Sequence, residues 1–204
     1  MIQTIRSYQS TAAADTGIPL LIGVDEEGGT VVRVSSNPNL RSQKFSSPQK
    51  LLSAGGVERL VEETADKDAL LQGLGINVNL APVADVSTNP SDFIYDRTFG
   101  QDAAGNADCV TAVVAQMAAD GMGSVLKHFP GYGNNVDTHT GIAVDQRSLE
   151  SFQESDFLLR RRDRGRGGHR RRAGEPQHHN GDRRFPARLP VPGGPRPAAH
   201  GAGF

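Results

Sequence analysis

Tryptophan is absent from this sequence, cysteine occurs once and tyrosine three times. A lone Cys109 excludes an intrachain disulfide and any cysteine-built metal centre, and it reads as a small apolar core residue. No apolar run approaches the ~20 residues that cross a bilayer, so no membrane segment is expected. The opening MIQTIRSYQS lacks the apolar stretch of a signal peptide. No GxGxxG or P-loop pattern opens a helix, which leaves nucleotide binding unsupported.

What is present divides in two. Residues 1–158 carry 10 Lys or Arg against 20 Asp or Glu, a net charge of −10, whereas residues 159–204 carry 12 Arg, no Lys and 3 acids, a net charge of +9. The overall charge of −1 therefore describes neither segment. The expected organisation is a folded domain over 1–158 and an Arg/Gly/Pro-rich tail over 159–204.

Across residues 1–158 a single rhythm repeats. Residues 18–24 form a continuous apolar run that ends in the polar, Gly-rich Asp25-Glu-Glu-Gly-Gly29. Leu60, Val61, Thr64, Leu70 and Leu71 fall near a 3.6-residue period and predict a helix over 57–73, closed by Gly73 and Gly75. A second strand is expected at 76–80 and a loop at 84–102. A helix over 103–120 would place Val110, Val113, Val114 and Met117 on one face. A third strand at 124–126 precedes a polar loop at 127–146, and a third helix begins near Ser148. Strand, loop and helix recurring in this order predict an α/β fold with parallel strands and flanking helices. A partial (β/α)8 TIM-type barrel is the expected architecture; a doubly wound sheet fits the same rhythm. In a barrel the loops after the strands form the face that carries active sites.

Those loops concentrate charge. Asp25 and Arg33 flank the first, Asp85, Asp96 and Arg97 occupy the second, and Lys127, His128, Asp137 and His139 the third. Three successive strand ends bearing such residues predict one shared mouth. Glu26 and Glu27 divide evenly between loop solvation and support of the Gly28-Gly29 turn. Asp85 reads as a structural support of its own loop. Arg97 beside Asp96 also reads as a plain ion pair. His128 and His139 stand eleven residues apart with no third ligand, so no metal is assigned.

Four ordered motifs carry a family resemblance. Gly23-Val-Asp-Glu-Glu-Gly-Gly29 with Val32-Arg33, Asn79-Leu-Ala-Pro-Val-Ala-Asp-Val86, Asp96-Arg-Thr-Phe-Gly100, and Lys127-His-Phe-Pro-Gly-Tyr-Gly133 with Asp137-Thr-His139 resemble the serial signature of family 3 β-N-acetylglucosaminidases. The resemblance implies a glycoside hydrolase that releases terminal β-linked N-acetylhexosamine by a retaining mechanism, in the chemistry of peptidoglycan recycling. It implies that Asp25 accepts hydrogen bonds from sugar hydroxyls and that Arg33, Arg97, Lys127 and His128 donate around the aminosugar ring. It further implies that His139, oriented by Asp137, is the acid/base, where most glycosidases use a carboxylate. Tyr132 stands where the family has histidine and is expected at the rim of the site. The family's nucleophile, an aspartate in a Ser/Thr-Asp-Asp-Leu context, has no match after residue 139. A phosphorylase and a non-catalytic aminosugar-binding fragment are the alternatives.

The resemblance implies no cofactor and an aminosugar-containing glycan as partner, with no nucleic acid. Compartment and oligomeric state stay open: cytoplasm is the default, and secretion or lipid anchoring would need a signal ahead of Met1. Three of eight β/α units are legible, so the chain is expected to be incomplete at both ends. The tail cannot bury much apolar surface and is expected to be disordered. Its Arg160-Arg161-Arg162 and Arg170-Arg171-Arg172 clusters would suit RNA, but aromatics are scarce among them. A frameshifted reading fits better, since residues 163–172 read one base later can encode Ile-Glu-Ala-Gly-Ala-Asp-Ile-Val-Val-Val.

Overall fold

The computed structural model describes residues 1–158; the expectations for the tail, its disorder and its shifted frame, fall outside the described residues. In chain order the elements are α1 (Ile2–Asp15), β1 (Gly23–Val24), α2 (Pro48–Gly73), β2 (Val78–Asn79), a 3-10 turn (Tyr95–Arg97), α3 (Ala103–Ala119), β3 (Gly123–Ser124) and α4 (Leu149–Glu154). The three strands form one parallel sheet in the order β1-β2-β3, with Gly23 opposite Val78 and Val78 opposite Gly123. The expected parallel α/β architecture is present. No described helix is long and apolar enough to cross a membrane.

Local chemistry sets the helix limits. The Ser47 hydroxyl caps α2 by accepting from the Lys50 amide, and Pro48 occupies the first turn, where its missing N–H costs nothing. The helix therefore starts nine residues before the expected position. The Gly55-Gly56 pair, with Gly56 at φ 69°, breaks it into two segments, and the second segment is the expected 57–73 helix. Asp102 caps α3 through the Gly105 amide at 2.8 Å. Cys109, Val110, Val113 and Met117 on α3 are buried with Leu60, Leu71 and Leu74 of the α2 region, which places Cys109 in the core as expected. α1 has no fully buried residue, and Ile5 is its one side chain packed against the core. The helix was not legible for that reason.

The strands are shorter than the apolar runs that announced them. Ile18 and Leu21 are 69% and 82% exposed, and only the end of that run enters the ladder. Beyond β3, pairing continues irregularly through a bridge between Val83 and Lys127. That bridge carries the Lys127 region to the end of β2.

One buried group predicts a pH dependence. Asp68 on α2 is fully buried beside Asp120, and no ion pair neutralises its carboxylate among the described residues. Burial, then the nearby charge of Asp120, pushes its pKa from 3.8 up to about 7. The folded state thus holds a proton that the unfolded chain has already released between about pH 4 and about pH 7. Stability should fall as pH rises through that window, by up to about 1.4 kcal/mol per pH unit from this group, and level off above it. Urea denaturation of Asp68→Asn across the same range should show that slope removed. Parallel pH profiles for the two proteins would refute the assignment.

Candidate active site

The site is built on the turn after β1. Asn79, buried at the end of β2, grips the Glu26 backbone with both ends of its amide, accepting from its N–H at 3.0 Å and donating to its carbonyl at 2.9 Å. The Glu26 carboxylate, fully buried, accepts from the amides of Arg33, Val34 and Ser35 and from the Ser35 hydroxyl. Glu26 is therefore the scaffold of the first loop. Gly28 has φ 105°, and a Cβ there would collide with the Ser46 carbonyl, so the turn requires glycine.

Glu27 is the hub. Arg97 clasps its carboxylate with Nε at 2.9 Å and Nη2 at 2.8 Å, the bidentate geometry that guanidinium and carboxylate share. Lys127 Nζ lies 2.5 Å from Glu27 Oε1 and 2.5 Å from Asp25 Oδ1. From behind, Lys67 Nζ donates to the Glu27 carbonyl at 2.8 Å. Burial lowers the Lys67 pKa, against the opposing pull of Glu63 and Glu26. Burial also works against the charge on Arg97, but its bonds to Glu27 prevail and raise its pKa. The partner of Arg97 is thus Glu27, seventy residues away, and not the neighbouring Asp96. An even reading of Glu27 as a solvated loop acid is corrected, because its side chain is 2% exposed.

His128 joins this cluster from the third loop. Its Nε2 lies 3.3 Å from Arg97 Nη2, and its Nδ1 lies 2.7 Å from Asp85 Oδ2. Arginine can only donate, so Nε2 is the acceptor and the ring proton sits on Nδ1, facing Asp85. The same buried carboxylate accepts from the backbone amides of His128 and Tyr132. Asp85 was expected to support its own loop; its bonds show that it fixes the third.

Asp25, Arg97, Lys127 and His128 therefore meet at the carboxyl ends of the strands. Arg33 is exposed, and only its backbone amide reaches Glu26; no ion pair joins its guanidinium to the cluster among the described residues. Asp137 Oδ1 accepts from the His139 amide at 2.9 Å and faces His139 Nδ1 at 2.6 Å. The backbone bond first, then the ring, lowers the Asp137 pKa, with a smaller contribution from the charge of Arg97. The His139 side chain is 79% exposed. With Nδ1 turned to Asp137, Nε2 is the outward ring atom.

Two features were missed in sequence. Arg147 pairs with Asp145 at 2.7 Å and Asp156 at 2.9 Å, donates to the Gly131 carbonyl at 2.8 Å, and stacks on Phe152. It clasps both stems of the loop that carries Asp137 and His139. The only hint was an arginine beside acids, which has no specificity. Tyr132, expected at the rim, is 8% exposed; its ring packs edge-on against His128 with centroids 4.8 Å apart. The Asp85 bond to its amide draws it inward.

The pattern that defines the glycosyl hydrolase family 3 N terminal domain matches residues 1–159. The chain is 36% identical over 143 residues to beta-hexosaminidase LpqI of Mycobacterium tuberculosis, covering 69% of this chain and 36% of that protein. It is 30% identical over 164 residues to beta-hexosaminidase A of Pseudoalteromonas piscicida, covering 78% and 27% respectively. A solved glycoside hydrolase family 3 beta-N-acetylglucosaminidase from Paenibacillus sp. str. FPU-7 superposes with a TM-score of 0.71 at 28% identity, over 81% of this chain and 31% of that one. The chain spans roughly a third of the length of these relatives.

Proposed function

This chain belongs to the glycosyl hydrolase family 3 N terminal domain family, and on that premise we propose that residues 1–158 bind a terminal β-linked N-acetylhexosamine and supply the acid/base for its hydrolysis. The observation that carries the reading is the preformed Asp137–His139 pair on a loop beside a charged cluster of Asp25, Glu27, Arg97, Lys127 and His128. Asp25, partly exposed, offers Oδ2 to sugar hydroxyls while Lys127 holds Oδ1. Lys127 and His128 line the same mouth, and Arg33 reaches it only by a movement of its exposed side chain.

In this reading His139 Nε2 gives its proton to the leaving glycosidic oxygen, and Asp137 stabilises the ring as it cycles between cation and neutral form. In the second half-reaction the neutral ring takes a proton from water. The retaining course requires a nucleophile on the opposite face of the sugar; by the family resemblance that is an aspartate outside the motifs matched here. The names of the relatives, beta-hexosaminidases, support this substrate class.

Calorimetric titration of the 204-residue chain with N-acetylglucosamine tests the binding half. Binding should exceed that of glucose, and Asp25→Asn should weaken it about 10- to 100-fold, the worth of a hydrogen bond to a charged group. Equal binding of glucose, or an Asp25→Asn variant that binds as the parent does, would remove the basis of the proposal.

A further inference from the structure

Tyr132 does more than fill space beneath His128. Its hydroxyl lies 2.6 Å from Thr138 Oγ1, and Thr138 is the residue between Asp137 and His139. Its amide lies 2.6 Å from Asp85 Oδ1, while the other oxygen of that carboxylate holds the His128 ring and amide. One continuous run of contacts thus leads from the charged cluster through His128, Asp85 and Tyr132 to the tip of the loop.

The loop has two attachments of different strength. Its stems are held by ion pairs and a guanidinium: Asn135 donates to the Tyr132 carbonyl and to Asp145, and Asp145 and Asp156 bracket Arg147. A Cβ at Gly131 would run into the Asp156 carboxylate, and one at Gly133 would meet the Arg147 guanidinium at 2.5 Å, so the stems are closely packed. The tip is exposed at Thr138, His139 and Thr140. Among the described residues, its side-chain hydrogen bond to the body of the fold, beyond the turn it makes on itself, is the one to the Tyr132 hydroxyl.

We infer that Tyr132 is a positioning residue: the Tyr132–Thr138 hydrogen bond is a releasable latch that sets the Asp137–His139 pair relative to His128, while the Arg147 clasp holds the stems fixed. A single neutral hydrogen bond contributes little enough to open on its own, whereas the clasp does not. The latch thereby sets the fraction of molecules in which the acid/base stands over the mouth. The role of His139 in this inference rests on the function proposed above; the latch itself does not.

The test compares amide hydrogen exchange in the intact 204-residue chain with that of Tyr132→Phe, Thr138→Val and the double variant. Each single variant should speed exchange across residues 137–140 about 2- to 10-fold, the range set by one hydrogen bond, with α2 and α3 unchanged. The double variant should add nothing further, because both changes remove the same bond. Thr138→Ser, which keeps the hydroxyl, should restore the parent rate. Unchanged exchange in Thr138→Val overturns the inference, as do additive effects in the double variant. Should Tyr132→Phe loosen the whole core, the exposed Thr138 substitution decides alone. In an active enzyme containing this segment, release of the latch should lower kcat by a similar factor with KM unchanged; equal losses in both would point to a structural role instead. Failure of N-acetylglucosamine to bind would remove the proposed function and leave the exchange result standing.

Discussion

Replacing Glu27 by alanine should destabilise the fold by about 3–5 kcal/mol, the cost of leaving a buried charge without its partner. Three cations converge on this residue: Arg97 and Lys127 on its carboxylate, and Lys67 on its carbonyl. Their side chains are 13% and 16% exposed in the first two cases, so water cannot replace the carboxylate. Arg97 and Lys127 would then face each other across a desolvated gap. Asp25, 37% exposed, is too solvated to compensate for both. Glu27→Gln keeps the shape and one acceptor and should fall between the parent and the alanine variant. Urea denaturation at neutral pH measures the differences. A loss below about 1 kcal/mol in Glu27→Ala, the range of exposed pairs, would show that the cluster is solvated and not organised around this residue.

The second large effect concerns proton transfer. In an active enzyme containing this segment, His139→Ala should lower turnover by about 10²- to 10⁴-fold for substrates with poor leaving groups. Substrates with acidic leaving groups need little protonation, so their glycosylation step should lose much less. Asp137→Asn should follow the same pattern with a smaller loss, because Nδ1 keeps an acceptor but the imidazolium loses its counter-charge. Kinetics across a series of aryl N-acetyl-β-glucosaminides, graded by leaving-group pKa, separates these outcomes. A uniform loss across the series would mean that His139 positions the substrate and does not donate a proton to it. Asp137 occupies Nδ1, and the exposed ring presents Nε2 outward, which is the arrangement the proposed donation requires.

Much of the fold was legible because local periodicity records it. The α2 and α3 faces repeat near 3.6 residues, the glycines after each helix mark its end, and the polar loops follow apolar runs. α1 escaped because its inward face is sparse, with Ile5 its one residue on the core, and the strands were overextended because an apolar run does not say which of its residues find a ladder partner. The early start of α2 was available from Ser47-Pro48, a cap signal that the broken rhythm at Gly55-Gly56 obscured.

The sequence by itself determined the family and offered the site candidates Asp25, Arg33, Arg97, Lys127, His128, Asp137 and His139, and the Asp-x-His spacing alone brings the last two into contact. Only the tertiary structure decided who pairs with whom. Glu27 meets Arg97 across 70 residues, Asp25 meets Lys127 across 102, and Asp85 meets His128 across 43. Spacing along the chain encodes neighbours within a turn or two of helix or strand. Pairings at those separations are set by the parallel register of β1, β2 and β3, which brings three distant loops to one end of the sheet and leaves their charges to neutralise one another there.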